Sequence, residues 1–212
     1  MKDFDYLLPQ TKQVLLEIAG FEWLQRFTFV GGSGLSLYLH HRLSEDIDLF
    51  TWEDKLDKAL ILDSFDAEYG SQFSIQQDTQ RQLDLIVQGV NVTFFANNWD
   101  ALRNNALLDR YLYVANLDLL AAMKINTLFL RAKFRDYYDL YALNLAGYQV
   151  AKMYNIIEPM MPGMNKRLFQ MAMVYTDDVE DDNIAHLKPK YSVNKADIAK
   201  HFQKEIEQWL FS

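Results

Sequence analysis

The stretch Phe29-Val-Gly-Gly-Ser-Gly-Leu-Ser-Leu-Tyr-Leu-His-His-Arg-Leu-Ser-Glu-Asp-Ile-Asp-Leu-Phe50 decides the reading of this chain, because it joins a glycine-rich turn to two carboxylates on a strand. An apolar run over Phe27–Val30 reads as a buried strand, which Gly31-Gly32-Ser33 breaks before an apolar-periodic helix that the pattern starts near Leu35. Backbone amides at the start of such a helix have no intrahelical acceptor and are open to phosphate. Asp46-Ile47-Asp48 follows, and strand alternation puts both carboxylates on one face while Ile47 and Leu49 point into the core. Two hard oxygen ligands side by side suit Mg²⁺. A Gly-Gly-Ser turn alone opens many helices, and an Asp-x-Asp alone is common on solvated strands. The weight lies in their order and spacing, which aim both features at one opening.

On either side of this stretch the pattern predicts a helix over Pro9–Ala19, with proline in its first turn and Gly20 at its end. A second helix is expected from Glu53 to Tyr69. Phe73–Ala96 alternates as two or three antiparallel strands, with Gln88-Gly89 as a hairpin turn, so the sheet is mixed or antiparallel. Asn116 or Asp118 caps a helix running to about Arg131, and another spans Phe134–Leu145 before Gly147. On the first of these Lys124 and Arg131 share a face; on the second, Arg135 and Asp139 are spaced for an ion pair that leaves Asp136 facing a cleft. Helices over Lys152–Ile157, Asn165–Tyr175 and Lys195–Phe211 follow, with an acidic loop at Thr176–Asn183. The expected organisation is a domain over residues 1–115 and a helical part over 116–212 that completes the cleft.

The glycine turn with its Asp-x-Asp resembles the signature of the DNA-polymerase-β-like nucleotidyltransferase superfamily. Leu117-Asp-Leu-Leu-Ala-Ala-Met-Lys124, Arg131 and Arg135-Asp-Tyr-Tyr-Asp-Leu-Tyr141 resemble elements of the AbiEii-like toxin family, the nucleotidyltransferases of type IV toxin–antitoxin and abortive-infection systems. The resemblance covers roughly residues 25 to 145. It implies an α+β fold, a polymerase-β-like palm with a mixed or antiparallel sheet flanked by helices, plus a helical C-terminal part. It also implies Mg²⁺-dependent transfer of a nucleotide from a nucleoside triphosphate to tRNA or another hydroxyl acceptor, and restraint by a cognate antitoxin protein. Carried over by position, Asp46 and Asp48 match the metal ligands and Gly31, Gly32 and Ser33 the triphosphate turn. Lys124, aided by Arg131, matches the cation on the nucleotide phosphates, and Asp136 the carboxylate that activates the acceptor. A third carboxylate is common in the superfamily on a later strand; Val90–Phe95 is its counterpart here, and it carries Thr93 where the acid is expected. Asp84, on the preceding strand, substitutes if its register brings it near and is otherwise a solvated edge-strand charge. A nucleotide- or partner-binding module without catalysis, and transfer to a protein or small-molecule acceptor, are the alternative readings.

Composition narrows the classes further. The chain has 212 residues, half of them hydrophobic, enough for a packed core. It has no cysteine, which excludes disulfides and zinc thiolates and suits a cytoplasmic protein. A net charge of −8 argues against nonspecific nucleic-acid binding, leaving Lys124, Arg131, Lys133 and Arg135 as a local cationic cluster. No apolar run approaches the roughly 20 residues of a membrane span, and the acidic N-terminus is unlike a signal peptide. His40, His41, His186 and His201 form no metal-ligand pattern; His40-His41-Arg42 closes the helix after the glycine turn, where Arg42 steadies the carboxylate strand or touches substrate.

Overall fold

Alternation of buried apolar residues with partly exposed polar ones builds one seven-stranded mixed sheet in the computed structural model, which describes residues 3–131, 133–179 and 182–211. Its strands are β1 (Thr28–Phe29), β2 (Ile47–Thr51), β3 (Phe73–Asp78), β4 (Gln82–Val87), β5 (Val90–Ala96), β6 (Asn105–Asp109) and β7 (Leu112–Ala115). They lie in the order β3-β4-β5-β2-β1-β7-β6. β2 pairs in parallel with β5, and β1 with β7; the remaining neighbours are antiparallel. The expected antiparallel strands over Phe73–Ala96 are β3, β4 and β5, with Gln88 and Gly89 both at positive φ in the β4–β5 turn. The β6–β7 hairpin has no counterpart in the sequence reading.

One face of the sheet is the core. Ile47 and Leu49 of β2, Leu83, Leu85 and Val87 of β4, and Val92 and Phe94 of β5 join a single buried cluster. Against them pack Val14, Leu15 and Ile18 of α1 (Pro9–Ile18) and Ile61, Phe65 and Tyr69 of a helix over Lys58–Tyr69. Each such side chain contributes about 1.5–3 kcal/mol of burial. That helix starts later than Glu53 because the Asp57 side chain accepts from the Leu60 amide at 3.2 Å and caps it there. The opposite face carries Asp48 and Phe50 of β2, Thr93 and Phe95 of β5, and Gln82 and Asp84 of β4, all partly exposed.

α2 (Gly31–Leu39) follows β1 directly, and α3 denotes the Lys58–Tyr69 helix. The expected helix start near Leu35 is corrected here. Gly31-Gly32-Ser33 forms the first turn of α2, which ends on His40 in the left-handed region at φ 53°. The chain divides into two compact units, Met1–Asn116 and Leu117–Ser212. The second unit is helical: α4 (Leu117–Leu130), α5 (Phe134–Leu145), α6 (Val150–Ile157), α7 (Lys166–Val174) and α8 (Lys195–Leu210). Asn165 and Asn194 cap α7 and α8 through their side chains, and Phe169, Met173, Ile198 and Phe202 supply buried apolar faces. Glu180 and Asp181 of the acidic loop lie outside the described residues. No helix among the described residues is long and apolar enough to cross a membrane.

Candidate active site

Gly31 is the hinge of the site. Its φ of +72° is a left-handed conformation that a side chain rarely adopts, and a Cβ built there would collide with the Asp48 carboxylate. The glycine turn and the second carboxylate are therefore in direct apposition. The Val30 amide also donates to the Asp48 carbonyl at 2.9 Å, tying the end of β1 to β2. Val30 offers no side-chain cap to α2, and the first-turn amides at Gly31, Gly32 and Ser33 form an electropositive helix start beside two carboxylates. Gly31→Ala is expected to displace Asp48 as well as strain the backbone. Calorimetry should record a lower Tm, and titration with Mg²⁺ and a nucleoside triphosphate a weaker Kd; an unaltered Kd would separate the turn from binding.

Ser33 braces this arrangement. Its hydroxyl is buried and bonds Ser44 Oγ at 2.8 Å and, through a short contact, the Asp46 carbonyl. Arg42, 3% exposed, donates to the Leu43 carbonyl at 2.9 Å and to Ser44 Oγ at 3.2 Å. Ser44 is fixed in turn by backbone bonds to Tyr6 and Leu8. The Ser33 hydroxyl is thus spent inside the protein, and any contact it makes with phosphate runs through its amide. Of the two roles expected for Arg42, this geometry matches the steadying one.

Across the sheet face, Asp48 lies directly beside Thr93, and Thr93 directly beside Asp84, so the three share one cross-strand row. Neighbouring strands stand about 4.8 Å apart. β4 is an inner strand, and the Asp84 carboxylate accepts from Gln82 Nε2 at 3.0 and 2.8 Å. An edge-strand charge is therefore not what Asp84 is. Asp46 Oδ1 accepts from Asn91 Nδ2 at 2.9 Å, which aims that carboxylate toward β5. Mg²⁺ is commonly held by one or two carboxylates completed by phosphate oxygens and water. Asp46 and Asp48, beside an amide-lined turn, are such a donor set, and among the described residues no larger acidic or histidine group converges.

In the second unit Lys124 is 5% exposed, and its Nζ lies 2.8 Å from Asp136 Oδ1 and 2.7 Å from Asp139 Oδ2, both aspartates being fully buried. Arg131 reaches Asp136 Oδ2 at 3.4 Å while its own side chain stays half exposed. Burial alone would raise the Asp136 pKa; the Lys124 ammonium, its hydrogen bond and the Arg131 guanidinium outweigh burial and the like charge of Asp139, and hold it below the usual carboxylate range. Burial and the neighbouring Asp136 push the Tyr137 hydroxyl up to about 12. Two expectations change. Arg135 bonds Asp182 because the acidic loop returns to α5, and Asp139 meets Lys124. Asp136, enclosed and bonded to Lys124, does not face a cleft; its side chain accepts from the Lys133 amide at 3.3 Å and helps start α5. Lys124 and Arg131 do share a face, meeting at Asp136.

Residues 13–97 match the family model for the nucleotidyl transferase AbiEii toxin of type IV toxin–antitoxin systems. An uncharacterized protein of Aquifex aeolicus (strain VF5) is 21% identical over 208 residues, spanning 96% of this chain and 98% of that protein. Among solved structures, MenT4, a nucleotidyltransferase toxin from Mycobacterium tuberculosis H37Rv, is similar with a TM-score of 0.58 at 15% identity, covering 95% of this chain and 89% of MenT4. An H. pylori protein assigned as a nucleotidyltransferase gives 0.53 at 16% identity, with 95% and 98% covered. At such identities the likeness is one of fold, and it extends over both units. The matched family segment contains the glycine turn, Asp46, Asp48, Asp84 and Thr93.

Proposed function

Proceeding from the AbiEii-type nucleotidyltransferase domain that this chain carries over residues 13–97, we propose that it transfers a nucleoside monophosphate from a nucleoside triphosphate to the hydroxyl of an RNA acceptor such as tRNA, as the toxin of a type IV pair restrained by an antitoxin protein. The observation that carries the reading is the direct apposition of Gly31 and Asp48. Amides of Gly31, Gly32 and Ser33 take the β- and γ-phosphates at the start of α2. Asp46 and Asp48 would hold Mg²⁺, which when bound draws charge from the triphosphate and steadies the departing pyrophosphate. In the step itself the acceptor oxygen bonds to the α-phosphorus, the bond from that phosphorus to the bridging oxygen breaks, and pyrophosphate leaves.

The acceptor proton needs a carboxylate that an outside hydroxyl can touch. Asp136 is enclosed, whereas Asp84 lies partly exposed in the same cross-strand row as Asp48, and we assign the proton to Asp84. For the second unit the same reading makes Arg131, half exposed, the cation offered to phosphate, with Lys124 held between Asp136 and Asp139 as positioning residues. Asp84→Asn should lower kcat by about 10²- to 10⁴-fold, the usual share of a general base, and leave triphosphate affinity intact. Thr93→Asp in that background, one strand nearer Asp48, should restore part of the rate; full activity in Asp84→Asn would remove Asp84 from the mechanism.

The function is tested by incubating the purified chain with each α-labelled nucleoside triphosphate, Mg²⁺ and separate pools of cellular RNA and protein. Label in RNA is the expected result. Nucleotide binding without label in either pool would leave a non-catalytic binding module.

A further inference from the structure

We propose that the β5–β4 half of the carboxylate-bearing sheet face seats the acceptor through one of its nucleobases, stacked on Phe95 and Phe50 beside Arg81. Phe50 and Phe95 are directly paired across β2 and β5, immediately after the Asp48–Thr93 pair's neighbours in register, and their rings lie 5.1 Å apart at 46°. Both are partly exposed, unlike Phe94, Phe65 and Phe27, which close the core on the opposite face. The Arg81 guanidinium sits 5.8 Å from the Phe95 ring centroid, and its Nε donates to the Ala96 carbonyl at 2.8 Å. Among the described residues it pairs with no carboxylate, in a chain of net charge −8. Open aromatic rings next to an arginine without an acidic partner form the usual combination for holding an unpaired base and its phosphate.

The side of the sheet follows from the chemistry, and here the inference rests on the nucleotidyl-transfer reading. Displacement at phosphorus is in line, so the acceptor oxygen approaches opposite the leaving pyrophosphate. Pyrophosphate lies with the Gly31 turn, which abuts Asp48 from the β1 side. The opposite side of β2 is β5, followed by β4. Phe50 and Phe95 stand two strand residues along from Asp48 and Thr93, a rise of about 7 Å, so a base stacked there leaves its own sugar hydroxyl near the Asp48–Thr93–Asp84 row.

Phe95→Leu and Phe50→Leu keep apolar bulk and remove the stack, and Phe95→Trp retains it. The full-length proteins are compared by affinity for a fluorescein-labelled single-stranded oligoribonucleotide, by Kd for Mg²⁺–nucleoside triphosphate, and by KM for total tRNA in transfer. The double leucine variant should weaken oligoribonucleotide affinity and raise the RNA KM by roughly 5- to 150-fold, the range of one base's stacking. Its Tm and triphosphate Kd should hold, and Phe95→Trp should bind like the wild type. Unchanged RNA affinity in the folded double variant overturns the proposal. So does a loss confined to the triphosphate Kd, which assigns the rings to the donor base, or labelling of protein in place of RNA by the wild type. Absence of transfer by the wild type would sink the nucleotidyl-transfer reading alone, since the oligoribonucleotide arm still decides whether a base stacks here.

Discussion

Asp46→Asn with Asp48→Asn is expected to lower nucleotidyl transfer by about a thousandfold or more, because in the proposed mechanism the pair would hold the ion that supplies charge stabilisation of several kcal/mol at the reacting phosphorus, while the fold survives. Asp48 on β2 and Asp46 just before it are both partly exposed, and the core residues that alternate with them, Ile47 and Leu49, are untouched by the change. Asn91 can still bond an amide oxygen at position 46, whose carboxylate accepts from it at 2.9 Å. Calorimetry should therefore return a Tm near that of the wild type. Isothermal titration should register loss of Mg²⁺-dependent nucleotide affinity in the same variant. A folded double variant with undiminished transfer would move the chemistry away from this strand.

The second large effect lies in the other unit and is one of stability. Lys124→Met leaves Asp136 and Asp139 fully buried with the Lys124 charge gone, while Arg131 still reaches Asp136 at 3.4 Å. Removing one partner of a buried ion pair costs on the order of 3–5 kcal/mol, which corresponds to a fall in Tm of about 6–20 °C. The pH dependence gives a sharper signature. In the wild type the Asp136 pKa is depressed below its ordinary 3.8, so its contribution is complete above that value and is lost as pH falls through the folded pKa. His201 acts in the same direction. Burial holds its imidazole below 6.5, outweighing the pull of Glu205, so the neutral ring favours the folded state and stability falls as pH drops below that value. Wild-type Tm should thus decline on acidification. In Lys124→Met the enclosed carboxylates lack their cation and gain by protonation, so acid should narrow the gap between variant and wild type. A gap that is constant with pH would show that the lysine acts through packing alone.

The sequence carried the parts of this molecule that depend on local chemistry. Alternation set Ile47 and Leu49 inward and Asp46 and Asp48 outward, and the strands β4 and β5 could be read from Gln82–Ala96 because each second residue is apolar. Proline and glycine signals bounded α1 and α5, and the apolar stripe of Ile198, Phe202 and Ile206 bounded α8, within a residue or two. What escaped was set by pairing at a distance. β1 lies within the expected Phe27–Val30 strand, but β7 pairs in parallel with it and antiparallel with β6, partnerships with no local marker. The place of Asp84 on an inner strand follows from β3 closing the edge beyond it. The lysine and arginine spacings along α4 and α5 suggested an open cationic face. Burial instead turned Lys124 toward two aspartates, and the acidic loop returned Asp182 to Arg135. The collision that bars a side chain at Gly31 needed β1 and β2 to be adjacent, although the glycine itself was an apt signal.

The most direct test of the account is to supply the purified protein with one nucleoside triphosphate labelled either at the α- or at the γ-phosphorus, with Mg²⁺ and cellular RNA. The turn at Gly31–Ser33 and the carboxylates of Asp46 and Asp48 predict α-label in the RNA, release of pyrophosphate, and no γ-label in any acceptor. Transfer of the γ-label without the α-label would identify a phosphoryl transferase and contradict the assignment of the site.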